Sequence, residues 1–219
     1  MPPLNQLSVA NGEPLVWGQR TYVMGIINLT PDSFSGDGLG SDVSVAVEQA
    51  LRFEAEGADF IDVGAESTRP GHESITAEEE LERLMPALEA MVSRVNLPVS
   101  VDTSKAVVAQ TAVTAGAAII NDQWGLKSEP EIAIVAAQTG AGLILMHNQK
   151  GRHYNDLIPD ISSSLSASAK TALDAGVPKG NIIFDPGSGF GKTPDHNLEI
   201  LNRLREFTSL GYPLLLGTS

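Results

Sequence analysis

Six short apolar runs of this chain end in, or carry near their end, a small polar side chain: Asn28, Asp62, Asp102, Asn121 with Asp122, His147 and Asp185. α/β enzymes present ligand-binding and catalytic groups at that place, the carboxyl end of a buried strand. A carboxylate there can accept two parallel N–H bonds, the forked geometry that suits a guanidinium or an amino-heterocycle. Asp185 opens the loop Asp185-Pro-Gly-Ser-Gly-Phe-Gly-Lys192. This is not a Walker phosphate loop, because Pro186 stands where that motif needs its first glycine. Nor is it a dinucleotide fingerprint, which would need a glycine at position 192. What remains is a carboxylate, a glycine-rich turn and a helix start; the plainer alternative is that Asp185 only caps a tight turn. His147 has no His or Glu partner at metal-ligand spacing, so the base expectation for it is structural. Asp122 or Ser104 suits a helix N-cap.

Two other stretches carry reactive side chains. Met24-Gly-Ile-Ile-Asn-Leu-Thr-Pro-Asp-Ser-Phe-Ser-Gly-Asp-Gly38 joins an apolar run to a polar, glycine-rich loop. Ala65-Glu-Ser-Thr-Arg-Pro-Gly71 follows Asp62 with hydroxyls, an arginine and turn formers. Arg69 suits a phosphate or carboxylate. An ion pair with a neighbouring acid such as Glu73 accounts for it equally well.

The elements that must position these groups recur as a unit of apolar run, loop, amphipathic helix and glycine. The predicted strands are Tyr22–Ile27, Asp59–Val63, Val99–Val101, Ala117–Ile120, Gly142–Met146, Asn181–Phe184 and Pro213–Leu216. The first reads as buried on both faces, as parallel strands are. Helices are expected over 43–56, after the Thr76-x-x-Glu79 capping box with Pro86 as a possible kink, over 105–115, 130–139 and 163–175, and after Thr193-Pro194. The last should bury Leu198, Leu201, Leu204 and Phe207. Residues 1–20 read as an irregular arm with a short strand at Pro14–Trp17, covering one end of the core. Strand–helix alternation predicts an α/β fold with a parallel sheet. A (β/α)₈ TIM-type barrel is favoured over an open doubly wound sheet, because polar groups at strand after strand belong on one rim. The expected barrel is an incomplete one, with about seven strands and the last helix–strand–helix missing, and residues 1–219 are expected to form one domain.

Composition narrows the function. A net charge of −13 argues against nucleic acid or an anionic membrane as partner, so an anionic ligand must be held locally. With no cysteine, disulfides and thiolate chemistry are excluded. The start Met-Pro-Pro-Leu-Asn lacks a basic, then apolar, leader, and no apolar stretch reaches membrane-span length; a cytoplasmic protein is expected.

Taken together, Gly25-Ile-Ile-Asn-Leu-Thr-Pro-Asp-Ser-Phe-Ser35, Asp62-Val-Gly-Ala-Glu-Ser-Thr-Arg-Pro-Gly71, Ser100-Val-Asp-Thr-Ser104, Ile119-Ile-Asn-Asp122 and Asp185-Pro-Gly-Ser-Gly-Phe-Gly-Lys192 resemble the dihydropteroate synthase family of pterin-binding barrels, in its order and spacing. The resemblance runs from about Tyr22 to Ser219. It implies a transferase that joins 6-hydroxymethyl-7,8-dihydropterin diphosphate to p-aminobenzoate in folate biosynthesis and releases pyrophosphate. It implies Asn28 as a ligand of Mg²⁺, Asp102, Asn121 and Asp185 as pterin binders, Thr68 at the diphosphate, and Arg69, Pro70 and Phe34 in loops over p-aminobenzoate. A homodimer is implied too. The sequence departs from the family at Ser35-Gly36-Asp37-Gly38, which displaces the loop aspartate, and at Asn148. It also ends at Ser219, where the family continues with a lysine and later an arginine and histidine. A non-catalytic pterin-binding remnant and a methyltetrahydrofolate-type methyltransferase are the alternatives.

Overall fold

The computed structural model describes residues 6–7, 14–29, 43–66 and 74–218. Its frame is a six-stranded, all-parallel sheet whose strands pair in chain order: β3 (Met24–Asn28), β4 (Phe60–Gly64), β5 (Val99–Asp102), β6 (Ile119–Asp122), β7 (Gly142–Met146) and β8 (Ile182–Asp185). Two short strands, β1 (Gln6–Leu7) and β2 (Leu15–Val16), precede it as an antiparallel pair. Between the sheet strands run α1 (Val43–Glu56), α2 (Ala77–Arg94), α3 (Ala106–Thr114), α4 (Glu131–Thr139) and α5 (Leu157–Asp174); α6 (Pro194–Asn202) and α7 (Leu204–Phe207) follow β8. Parallel neighbours demand such crossovers, and sequential order is what a (β/α) barrel requires. Among the described residues the barrel is not closed: β3 lacks a neighbour on one side, and β8 has beyond it only a single bridge to Leu214.

Two apolar cores follow from the two faces of this sheet. The larger lies between sheet and helices and takes Val63 and Val101 from strands, Leu84 and Leu88 from α2, and Ile161 and Leu165 from α5. The smaller lies on the opposite, inner face and contains Phe60, Ile119, Ile144 and Ile183, with Leu7 and Leu15 of the hairpin inserted among them. Leu7 lies against the start of β7, where a Cβ on Gly142 would meet the Leu7 side chain at 2.8 Å. The amino-terminal hairpin therefore floors the lumen at the end away from the polar strand termini.

Most helix boundaries match the sequence signals. Thr76 accepts a bond from the Glu79 amide at 3.2 Å, Thr193 and His196 cap α6 reciprocally, and Gly140 ends α4 in the left-handed region at φ 75°. α2 runs unbroken through Pro86. Four expectations need correction. α5 starts at Leu157, six residues before the expected 163, because Leu157, Ile158 and Ile161 already form a buried face and Pro159 is tolerated in a first turn. The helix after Thr193 breaks at Arg203, so the assumed apolar stripe loses its phase: Leu198 and Leu201 are exposed, while Ile200 and Phe207 are buried. Pro213–Leu216 is not a full strand but an isolated parallel bridge between Leu214 and Phe184, with backbone bonds of 2.9 and 2.8 Å. β3 is not buried on both faces either; Val23 and Ile26 are 56% and 51% exposed, since this edge strand lacks a neighbour on one side.

Truncation of the floor should be expensive. Leu7→Ala should cost about 2–5 kcal/mol of unfolding free energy, read from urea melts, since Leu7 is fully buried between β6 and β7. A wild-type midpoint would show that the hairpin is not part of the core.

Candidate functional site

Strand register decides which polar groups meet. Side chains alternate across a strand, and directly paired residues share a face. Ile26 pairs with Asp62, Asp62 with Ser100, and Asn28 with Gly64, which pairs with Asp102. Asp102 pairs with Asn121, Asn121 with Ile144, and Ile144 with Ile183, two residues before Asp185. Asn28, Asp62, Asp102, Asn121 and Asp185 therefore all occupy the inner face, at the carboxyl rim, above the apolar floor. Gly25, on the other face, confirms the parity: a Cβ there would strike the Phe53 ring of α1 at 2.5 Å. Gly64 leaves space in the rim, since its Cβ would stand 3.2 Å from the Asp102 carboxylate.

The polar layer is linked and short of cations. Asn121 donates its amide to Asp62 at 3.1 Å, and Gln123 donates to Asp102. Burial pushes the Asp62 carboxyl up to about 6, opposed by Ser100 and Asn121. Ser100 is near enough to be felt but not to bond, because its hydroxyl and Asp62 Oδ1 are both buried without a partner. Burial, then the charges of Asp62, Glu80 and Asp122, raise the Asp102 carboxyl well above the ordinary range, with Gln123 pulling the other way. Asp185 is 8% exposed; its Oδ1 accepts from Gly187 N at 2.7 Å, and burial raises it to about 6 against the pull of that amide and of Lys192. Buried acceptors with unfilled capacity are costly unless a ligand completes them.

Other expectations resolve into structure. Asp122 accepts from the amides of Trp124 and Leu126 at 2.8 and 2.6 Å, which organises the loop after β6 rather than a helix. Ser104 is not a cap; Lys105 precedes α3, and Thr103 takes its amide. His147 is 2% exposed, held by Lys192, and burial followed by the charges of Lys192 and Lys127 lowers it to about 3, so it stays neutral. Thr68, Arg69, Pro70, Phe34 and Asp37 lie outside the described residues. Asn28 is exposed at the rim. A cleft of about 900 Å³ opens over the ends of β4 to β7, lined by Glu66, Asp102, Thr103, Gln123, Lys127 and Asn148 among others. Gln123, Lys127 and Lys192 were not singled out from the sequence as site residues. Lys192 alone had a visible signal, its place in the glycine-rich loop.

This geometry can be set beside known proteins. The profile of the family described as pterin binding enzyme matches residues 24–219. The chain belongs to the pterin-binding enzyme family. Among its relatives, dihydropteroate synthase of Bacillus subtilis (strain 168) is 48% identical over 99% of this chain and 76% of its own. That of Clostridium beijerinckii is 50% identical over 92% and 75%. Among solved structures, Xanthomonas albilineans dihydropteroate synthase with 4-aminobenzoic acid superposes with a TM-score of 0.92 at 41% identity, covering 98% of this chain and 78% of that one. The same enzyme in complex with 7,8-dihydropteroate gives 0.87 at 39%. As a member of the pterin-binding enzyme family with dihydropteroate synthase relatives, the chain is a transferase, and its α/β fold is that of the family's barrel.

The buried carboxylates imply a stability conflict that can be measured. Asp185 has its folded pKa raised from 3.8 to about 6, so the folded state resists ionising it. That resistance weakens the fold as pH rises from 3.8 through 6 and is fully felt above it. Asp185→Asn should thus be more stable than wild type at pH 8, by up to about 3 kcal/mol, with the gain fading towards pH 4. Denaturant melts at the two pH values check this; a variant equally stable or weaker at pH 8 would refute it.

Proposed function

We propose that this chain condenses 6-hydroxymethyl-7,8-dihydropterin diphosphate with p-aminobenzoate, giving 7,8-dihydropteroate and pyrophosphate, and that the rim residues above perform it. The observation that carries the reading is the set of polar groups gathered on one face at the rim: half-buried Asp102, buried Asn121 and Asp185, and behind Asn121 the buried Asp62, whose Oδ1 has no partner. A pterin ring edge offers amino and ring N–H donors of matching number, and a carboxylate can take two of them in parallel. Asp62 keeps the Asn121 amide turned, so that its oxygen is free to accept. The Xanthomonas albilineans dihydropteroate synthase structures with 4-aminobenzoic acid and with 7,8-dihydropteroate support the same substrates here.

In the reaction the bond between the exocyclic pterin carbon and the diphosphate oxygen breaks, and the arylamine nitrogen bonds to that carbon and loses a proton. Positive charge develops on the pterin as the diphosphate leaves, and buried carboxylates at its ring edge stabilise that charge. Lys127, whose ammonium lies beside the cleft on the Asn148 carbonyl at 2.7 Å, is a cation placed to face an anionic substrate.

Asn28 would hold Mg²⁺. It stands exposed at the rim and carries an amide oxygen, the kind of donor a hard cation accepts, and among the described residues no three His, Cys, Asp or Glu cluster to bind the ion alone. Substrate phosphates and water would complete such a site, and the ion when bound supplies charge neutralisation at the leaving diphosphate. Thr68 at the diphosphate, and Arg69, Pro70 and Phe34 around p-aminobenzoate, complete the proposal. Cytoplasmic residence and a homodimer belong to the same reading; among the described residues no helix is long and apolar enough to cross a membrane.

The direct test supplies the dihydropterin diphosphate, p-aminobenzoate and Mg²⁺ and follows pyrophosphate. Release dependent on p-aminobenzoate is expected; a chain that shows no release and binds no pterin would sink the reading. Asp185→Ala should weaken pterin binding by roughly 1.5–3 kcal/mol, the cost of losing a charged buried acceptor. Calorimetric titration showing wild-type affinity would remove Asp185 from the site.

A further inference from the structure

Lys192, the charged end of the Asp185–Lys192 loop, has no part in the proposed chemistry. It turns inward, is 4% exposed, and ends among neutral acceptors: His147 Nδ1 at 3.0 Å, the Phe190 carbonyl at 2.9 Å and the His147 carbonyl at 3.4 Å. Burying an ammonium is unfavourable without compensation. Such a group therefore signals a constraint that the fold retains.

The surroundings show what is constrained. The loop lies directly on the segment after β7. A Cβ on Gly187 would stand 2.0 Å from the His147 carbonyl, and one on Gly191 would stand 2.6 Å from the Gln149 carbonyl. Both glycines have positive φ, 73° and 59°. Tyr154 donates to the Gly191 carbonyl at 2.9 Å, and the His147 amide donates to the Asp185 carbonyl at 2.8 Å. Lys192 spans this contact, joining the loop's own Phe190 to the His147 corner. The same loop supplies the Gly187 amide that grips Asp185 Oδ1. We infer that Lys192 is a positioning residue, which locks the glycine-rich loop onto the His147 corner and so fixes where the Asp185 carboxylate meets the pterin.

This rests on the pterin-binding reading of Asp185. The charge of Lys192 acts in the same direction as its bonds. The charged group that Asp185 feels is Lys192 from its own loop; Lys192 in turn meets His147 from the β7 side, whose ring packs on Tyr154, and feels Lys127 from the segment after β6. Lys192 is the cation that favours the ionised carboxyl, while burial brings Lys192 itself down to about 7. Pterin binding that needs the carboxylate is lost as pH falls through the Asp185 pKa. Removing the lysine raises that pKa and moves the loss to higher pH.

The test is Lys192→Met, which keeps the length and removes charge and donors, with pterin affinity measured calorimetrically from pH 5 to 9. Pterin dissociation should rise roughly tenfold at pH 7. The acid limb should move to higher pH, and the KM for p-aminobenzoate should stay unchanged. Lys192→Gln, which restores a donor without the charge, should recover part of the affinity but not the limb. If neither variant folds, ¹³C-labelled aspartate in the wild-type chain gives the answer: an Asp185 titration that ignores the ionisation of a nearby lysine overturns the inference. Wild-type affinity and pH dependence in Lys192→Met overturn it as well. A wild-type chain that binds no pterin at any pH rejects the reading of the site instead.

Discussion

Period two of the parallel sheet is the constraint on which the rest depends. Because adjacent parallel strands pair in a continuous register, a residue's parity fixes whether it faces the helices or the lumen. Asn28, Asp62, Asp102, Asn121 and Asp185 share the lumen parity, although 157 positions separate the first from the last. A one-residue slip in any strand would turn its polar group towards the helices and expel an apolar residue from the core. The same parity places Phe60, Ile119, Ile144 and Ile183 below them, with Leu7 of the hairpin beneath, so the polar rim stands on a dry floor.

That floor explains the electrostatics. Three carboxylates, Asp62, Asp102 and Asp185, sit at the edge of an apolar interior with amides and hydroxyls for neighbours, and each has its pKa raised chiefly by burial. The fold tolerates acceptors that it leaves partly unfilled, an arrangement that weakens the unliganded protein and favours a donor-rich ligand. Lys192 is the counterpart, an ammonium drawn into the same interior and held by carbonyls and a neutral imidazole. The rim is thus built of groups whose protonation the protein itself has displaced.

Some of this was legible along the chain. Apolar runs ending in polar residues announced parallel strands and a polar rim, capping signals placed α2 and α6, and the five motifs together specified the pterin-binding family. Errors came where neighbours outweighed local pattern. α5 began early because Leu157 and Ile158 found core partners; the stripe after Thr193 failed because Arg203 breaks the helix; Pro213–Leu216 stayed a bridge because it pairs on one side only.

The sequence by itself determined the order of the units, the family and the identity of the polar groups, since these depend on residue type and short-range spacing. Tertiary structure alone decided that Asp62 orients Asn121, that Gln123 holds Asp102, and that Lys192 turns inward to lie against His147. Those contacts join residues 59, 21 and 45 positions apart, and no local rule of spacing relates such partners. They exist because parallel strands bring their carboxyl ends to one rim, where burial makes each unpaired polar group seek the nearest partner.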